Sequence, residues 1–158
     1  MKNTFLLIVG VLAICFASCE NEEETPQPKY FSDAQMTALD VLKGTFVNNL
    51  IVPGYDTLTT TIVFLEQYNP PVEGEYTDYD TREKSKIYMH GKYKYIYYDG
   101  SSTEKYYYIS SDADKMYTTS SLKTMSVHSE DFKIVNNNSF GLKEKSDYLW
   151  DIYKKVTQ

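Results

Sequence analysis

The chain has 158 residues, with 16 Lys and Arg against 22 Asp and Glu and a formal net charge of −6. That length suits one domain, and an acidic chain without a basic patch is a poor match for the phosphate backbone of nucleic acid. Its two cysteines, Cys15 and Cys19, both precede residue 20, which excludes disulfides, thiol nucleophiles and thiolate metal sites from the body of the chain.

Lys2 gives the chain a positive start, and Phe5 to Phe16 form an apolar run broken only by Gly10. The run has the length of a signal-peptide core and falls short of the roughly 20 apolar residues of a spanning helix. Small residues, Ala17 and Ser18, lead to Cys19, and the acidic stretch Glu20-Asn21-Glu22-Glu23-Glu24 follows. Residues 19–31 read as a tether stiffened by Pro26 and Pro28. Ser32-Asp33-Ala34-Gln35 then fits a capping box, in which Ser32 caps the Gln35 amide and Gln35 reaches back. Met36, Leu39, Val41 and Leu42 supply an apolar side at helical spacing, and Gly44 is a natural stop.

After Gly44 the period changes to that of strands. Residues 45–47 and the β-branched run 57–65 are the first two. The stretch 66–86 carries Pro70, Pro71, Gly74 and the acids Glu73, Glu75, Asp78 and Asp80; it reads as a long loop or as a strand with an extended excursion. Residues 87–89 and 92–98 read as one strand bent at His90-Gly91, with Asp99-Gly100 as a hairpin turn. Strands over 104–110 and 115–119 flank the turn Ser111 to Asp114. Residues 122–128 form a further strand. Strands over 131–135 and 139–143 flank Asn136-Asn137-Asn138, whose residue type tolerates a left-handed turn. Residues 148–156 form the last strand. Strands this short and this regularly punctuated predict an antiparallel barrel or sandwich over residues 32–158. Sixteen tyrosines against one tryptophan favour strand structure before they favour any ligand.

Two resemblances bear on these elements. Phe16-Ala17-Ser18-Cys19 resembles the lipobox of bacterial lipoproteins, which implies a signal peptide over residues 1–18 and a diacylglycerol on the Cys19 thiol. An ordinary secretory signal cut near Ala17 or Ser18, or an uncleaved anchor, is the alternative. One acyl chain binds a bilayer only marginally, whereas two or three on one residue hold it firmly. The following acids are similar to the export signal of surface lipoproteins in the Bacteroides group. That implies a lipid-anchored outer-membrane protein exposed at the cell surface; the same acids also suit a solvated tether that avoids anionic head groups.

The second resemblance covers most of residues 40–156. Leu42-Lys43-Gly44-Thr45-Phe46 resembles the opening strand of lipocalin-like domains, with Phe46 where tryptophan is usual. Tyr107 to Tyr117 is similar to their central hairpin, and Phe132-Lys133-Ile134 through Phe140-Gly141-Leu142 to Trp150-Asp151-Ile152 is similar to their closing strands. The resemblance implies an all-β, antiparallel, up-and-down lipocalin-like barrel of about eight strands with a short N-terminal helix; a β-sandwich is the alternative.

Catalytic and cofactor motifs are absent from the sequence: no G-x-S-x-G elbow, no H-E-x-x-H pair and no P-loop. The expectation is a protein that is not an enzyme, with no cofactor and no metal. His90 and His128 lie far apart in sequence, so a metal or acid–base role would require folding to bring them to acids. The four acids of residues 73–80 lack calcium-loop spacing. Asp56-Thr57-Leu58 resembles a Bacteroides-type O-glycosylation motif, which marks Thr57 as the acceptor. The ligand-binding candidates are the tyrosine stripes Tyr93, Tyr95 and Tyr97, and Tyr106 and Tyr108. Facing inward, they line a cavity for a small, partly apolar ligand. Facing outward, they form a docking surface for a partner protein or glycan. The membrane, reached through the lipid anchor, is the remaining expected partner.

Overall fold

The computed structural model describes residues 30–51, 53, 54 and 56–157. The expected signal peptide, Cys19 and the acidic run therefore lie outside the described residues. Among the described residues one helix, α1 (Asp33–Val41), precedes nine strands: β1 (Gly44–Leu50), β2 (Leu58–Thr77), β3 (Lys84–Ile96), β4 (Ser102–Ile109), β5 (Lys115–Thr119), β6 (Lys123–Thr124), β7 (His128–Asn136), β8 (Ser139–Lys143) and β9 (Asp151–Lys155). Eight of them close a barrel in the order β1-β2-β3-β4-β5-β7-β8-β9. The ring is completed where β1 pairs with β2 on one side and with β9 on the other. Every pairing within the ring is antiparallel. Ring closure decides for the barrel over the sandwich, because a closed sheet has no edge left to pair.

Alternation fills the interior. Phe46, Ile62, Phe64, Tyr107, Met116, Phe132 and Phe140 are all buried in one core cluster, and an eight-stranded barrel is only just wide enough for such side chains. Phe140 sits at the centre of the aromatic packing, with ring centroids 5.0 Å from Phe46, 5.9 Å from Phe64 and 5.2 Å from Tyr153.

Helix α1 closes one end. The capping box forms in full: Gln35 N–H donates to Ser32 Oγ at 3.1 Å and Ser32 N–H to Gln35 Oε1 at 2.8 Å. Both side chains also fasten the helix to the barrel, Ser32 Oγ to the Ser111 carbonyl at 2.6 Å and Gln35 Nε2 to that of Ile109 at 2.8 Å. At the other helix end Gln67 Nε2 donates to the carbonyls of Leu39 and Leu42, which would otherwise lack partners. The helix ends at Val41, and Gly44 opens β1 with φ of +90°.

The stretch 66–86 is strand for much of its length. β2 runs on to Thr77, and a hairpin tip at 78–83 returns it to β3. Register breaks between Gln67 and Val72, where the intervening residues, including Pro70 and Pro71, stand out of the ladder. Beyond that break the β2–β3 ribbon leaves the barrel, and its β2 edge pairs in parallel with β6. Residues 122–128, expected as one strand, supply only that short β6 and the first residue of β7. The final strand starts at Asp151 rather than 148, and Trp150 lies outside the ladder with Lys133 Nζ 3.9 Å from its ring centroid. The β7–β8 turn holds none of its asparagines at positive φ; Asn136 Oδ1 instead accepts from the Asn138 amide at 2.9 Å.

β3 is continuous through His90-Gly91 because Gly91 lets the strand pass close to its neighbours. A Cβ there would strike the Glu66 carbonyl and come 2.7 Å from the Tyr107 ring. Gly91→Ala is therefore expected to destabilise the fold by about 1–3 kcal/mol, read as a lower urea midpoint. An unchanged midpoint would mean that the Glu66 backbone and the Tyr107 ring both give way freely.

Candidate functional site at the barrel mouth

The end of the barrel away from α1 is open. On β4, Ile109, bonded to the helix, is four positions from Lys105, which lines the opening. That places the two levels about 13 Å apart at strand rise. Between them lies the packed aromatic core, and above it a cavity of about 190 Å³.

One wall of the cavity is tyrosine. Period-2 alternation along β3, carried one residue past its end, turns Tyr93, Tyr95 and Tyr97 to the same inner face, and all three line the cavity. Tyr95 and Tyr97 meet edge to face at 4.7 Å. The Tyr153 hydroxyl of β9 stands 3.5 Å from those of Tyr95 and Thr60. Burial pushes the phenols of Tyr93 and Tyr153 well above their ordinary range, so both keep their proton and remain hydrogen-bond donors. Ile62 and Leu142 add apolar surface.

The opposite wall is acidic. β7 turns His128 and Glu130 inward, two residues apart and in line with buried Phe132. The β7–β8 register pairs Asp131 with Lys143 and Phe132 with Leu142, and its next step sets Glu130 against Glu144. His128 Nε2 is 4.0 Å from an oxygen of each carboxylate. Asp147 and Asp151 complete this side, and Lys105 is the single lysine lining the cavity among the described residues. Burial raises the pKa of Glu130, and the neighbouring His128 partly offsets the rise. Four carboxylates against one lysine leave the mouth electronegative, facing a wall of phenol rings.

The other tyrosine stripe points away. Tyr107 of β4 is inside and fully buried, which turns Tyr106 and Tyr108 outward. Tyr106 lies under Lys92, with Nζ 5.9 Å from its ring centroid. Tyr108 stacks on Tyr117 at 4.4 Å and lines an outer groove of about 610 Å³ with Tyr30 and Tyr88. Thr57 is exposed, one residue before β2. His90 is buried in the barrel wall, where Nδ1 accepts from the Ile109 amide at 3.1 Å. Among the acids of the ribbon, Glu73 and Glu75 pair with Lys86 and Lys84 at 2.9 and 3.0 Å, and Asp78 Oδ1 accepts the amides of Asp80 and Thr81.

Glu130 and Glu144 are among the site residues that sequence reasoning missed, with Lys105, Asp147, Asp151 and Tyr153. The signal was there: the Phe132/Ile134 alternation, carried back two and four residues, puts Glu130 and His128 on the same face. Starting the strand at Asp131 hid it.

A comparison with models of protein families finds no match for this chain, and neither does one with curated proteins. The fold and the site thus define it: a small eight-stranded barrel, plugged by a helix at one end and open at the other through an acidic, tyrosine-lined mouth.

Proposed function

We propose that this protein is a lipid-anchored, surface-exposed outer-membrane protein of the lipocalin-like kind, not an enzyme, that binds a small, partly apolar ligand in the mouth of its barrel. The observation that carries the reading is the cavity itself, where Tyr93, Tyr95 and Tyr97 face Glu130, Glu144, Asp147 and Asp151. At about 190 Å³ it is smaller than the roughly 300–1,000 Å³ that encloses a drug-sized molecule. The ligand is therefore small, or inserts one end. Its apolar part lies on the phenol rings, and its polar part donates hydrogen bonds or positive charge to the acids. The anchor rests on Cys19 and the segment around it.

The outer groove favours a second reading. Tyr30, Tyr88 and Tyr108 line it together, and tyrosine offers contact area with a hydrogen-bonding tip. On this reading the protein is an interaction module that docks a partner protein or glycan.

Native mass spectrometry of the protein from its source reads both the lipid mass on Cys19 and any carried ligand. Tyr97→Ala, at the inner mouth, is expected to weaken retention of that ligand at least tenfold. Tyr98→Ala, one residue on and outward, is expected to leave it unchanged. An empty native protein, or equal effects of the two variants, would remove the mouth as the binding site.

A further inference from the structure

We infer that His128, Glu130 and Glu144 form a binding site for one divalent first-row transition-metal cation, with zinc as its probe. The inference deepens the reading of the mouth as the binding site and rests on it. The donor atoms of the three side chains all lie within 4.8 Å of one another, and His128 Nε2 is 4.0 Å from both carboxylates. A point equidistant from the three is about 2.2–2.5 Å from each, against roughly 2.0–2.2 Å for zinc bound to imidazole nitrogen and carboxylate oxygen. Side-chain movement of a few tenths of an ångström closes that gap. Imidazole with carboxylates suits zinc and its first-row neighbours, whereas calcium and magnesium take oxygen ligands.

Two further observations point the same way. Glu130 sits inside the barrel with its side chain 18% exposed, and among the described residues no lysine or arginine forms an ion pair with it or with Glu144. A cation between the carboxylates would compensate that burial. Beside them, Thr118 pairs with His128 across the β5–β7 ladder. It is 2% exposed, and its Oγ1, beside the Tyr93 phenol, makes no hydrogen bond of good geometry among the described residues. Paired residues share a face with Cβ atoms about 4.5–5.5 Å apart, so Thr118 and His128 are neighbours on the inner face. Three protein ligands leave the remaining coordination positions open toward the cavity and its tyrosines.

The test uses the full-length protein, stripped with chelator and titrated calorimetrically with Zn²⁺ alone. One zinc per chain is expected. His128→Gln and Glu144→Gln should each weaken binding at least tenfold, and Glu73→Gln, in the outer ribbon, should not. No saturable zinc binding, or binding that survives His128→Gln unchanged, overturns the inference. A readout on the wild-type chain needs no variant to fold: diethylpyrocarbonate should modify His128, half-exposed, and one equivalent of Zn²⁺ should block that reaction. Continued modification at saturating Zn²⁺ overturns the inference. The two readings fail separately. Zinc bound one per chain with no organic ligand ever carried leaves the metal site standing alone. A carried ligand lost in Tyr97→Ala, with His128 still reactive under zinc, leaves the ligand site standing alone.

Discussion

Phe140→Ala is expected to lower folding stability by about 3–5 kcal/mol, the usual range for emptying a buried phenylalanine position. The side chain is fully buried, and its ring contacts Phe46, Phe64, Phe132 and Tyr153. These partners come from β1, β2, β7 and β9, whose backbones are fixed around the closed ring of strands and cannot close together on the void. The loss includes both the transfer term and the cavity term. Equilibrium urea unfolding measures it, with a midpoint that falls while the slope stays the same. A loss below about 1 kcal/mol would mean that the aromatic layer is not packed around Phe140.

Acidification gives the second large effect. His90 is buried, with Phe31 edge-on at 5.0 Å and its Nδ1 accepting a backbone hydrogen bond. Burial holds its pKa down to about 4, against 6.5 for the free side chain. The folded state thus resists a proton that the unfolded chain accepts. Stability from this residue is complete above pH 6.5 and is lost as pH falls toward 4. At about 1.4 kcal/mol per unit, the loss is on the order of 3 kcal/mol. Glu130 works in the opposite direction, because burial raises its pKa and acid relieves the folded state of a desolvated charge. His90→Asn keeps an acceptor near the place of Nδ1 and removes the titration. Its stability is expected to fall much less than wild type between pH 6.5 and 4, measured as urea midpoints across that range. Parallel curves for the two proteins would sink the assignment.

The parts of this fold legible in the sequence are those set by local chemistry. The Ser32–Gln35 capping box, the Gly44 stop, the Asp99-Gly100 turn and the alternation of Tyr93, Tyr95 and Tyr97 each follow from neighbours a few residues away. Barrel closure was legible only as one of two outcomes, because alternation sets which face is buried and not what covers it. The long β2–β3 ribbon was ambiguous because its polar outer half is held by pairing with β6, a contact about fifty residues distant in sequence. Tyr106, Tyr107 and Tyr108 run consecutively, so composition alone could not say which ring faces in. Tyr107 takes the inner position because Gly91 leaves room for it. The acidic wall of the mouth depends on the register between β7 and β8, and no local motif announces it.

The plug at the foot of the barrel has a consequence for orientation. Tyr30 and Ser32 lie beside the β4–β5 turn, at the level of the helix, and the mouth opens at the far end. A chain held to a bilayer through Cys19 would be held by its sealed end. That would leave the opening free of the chain's own attachment.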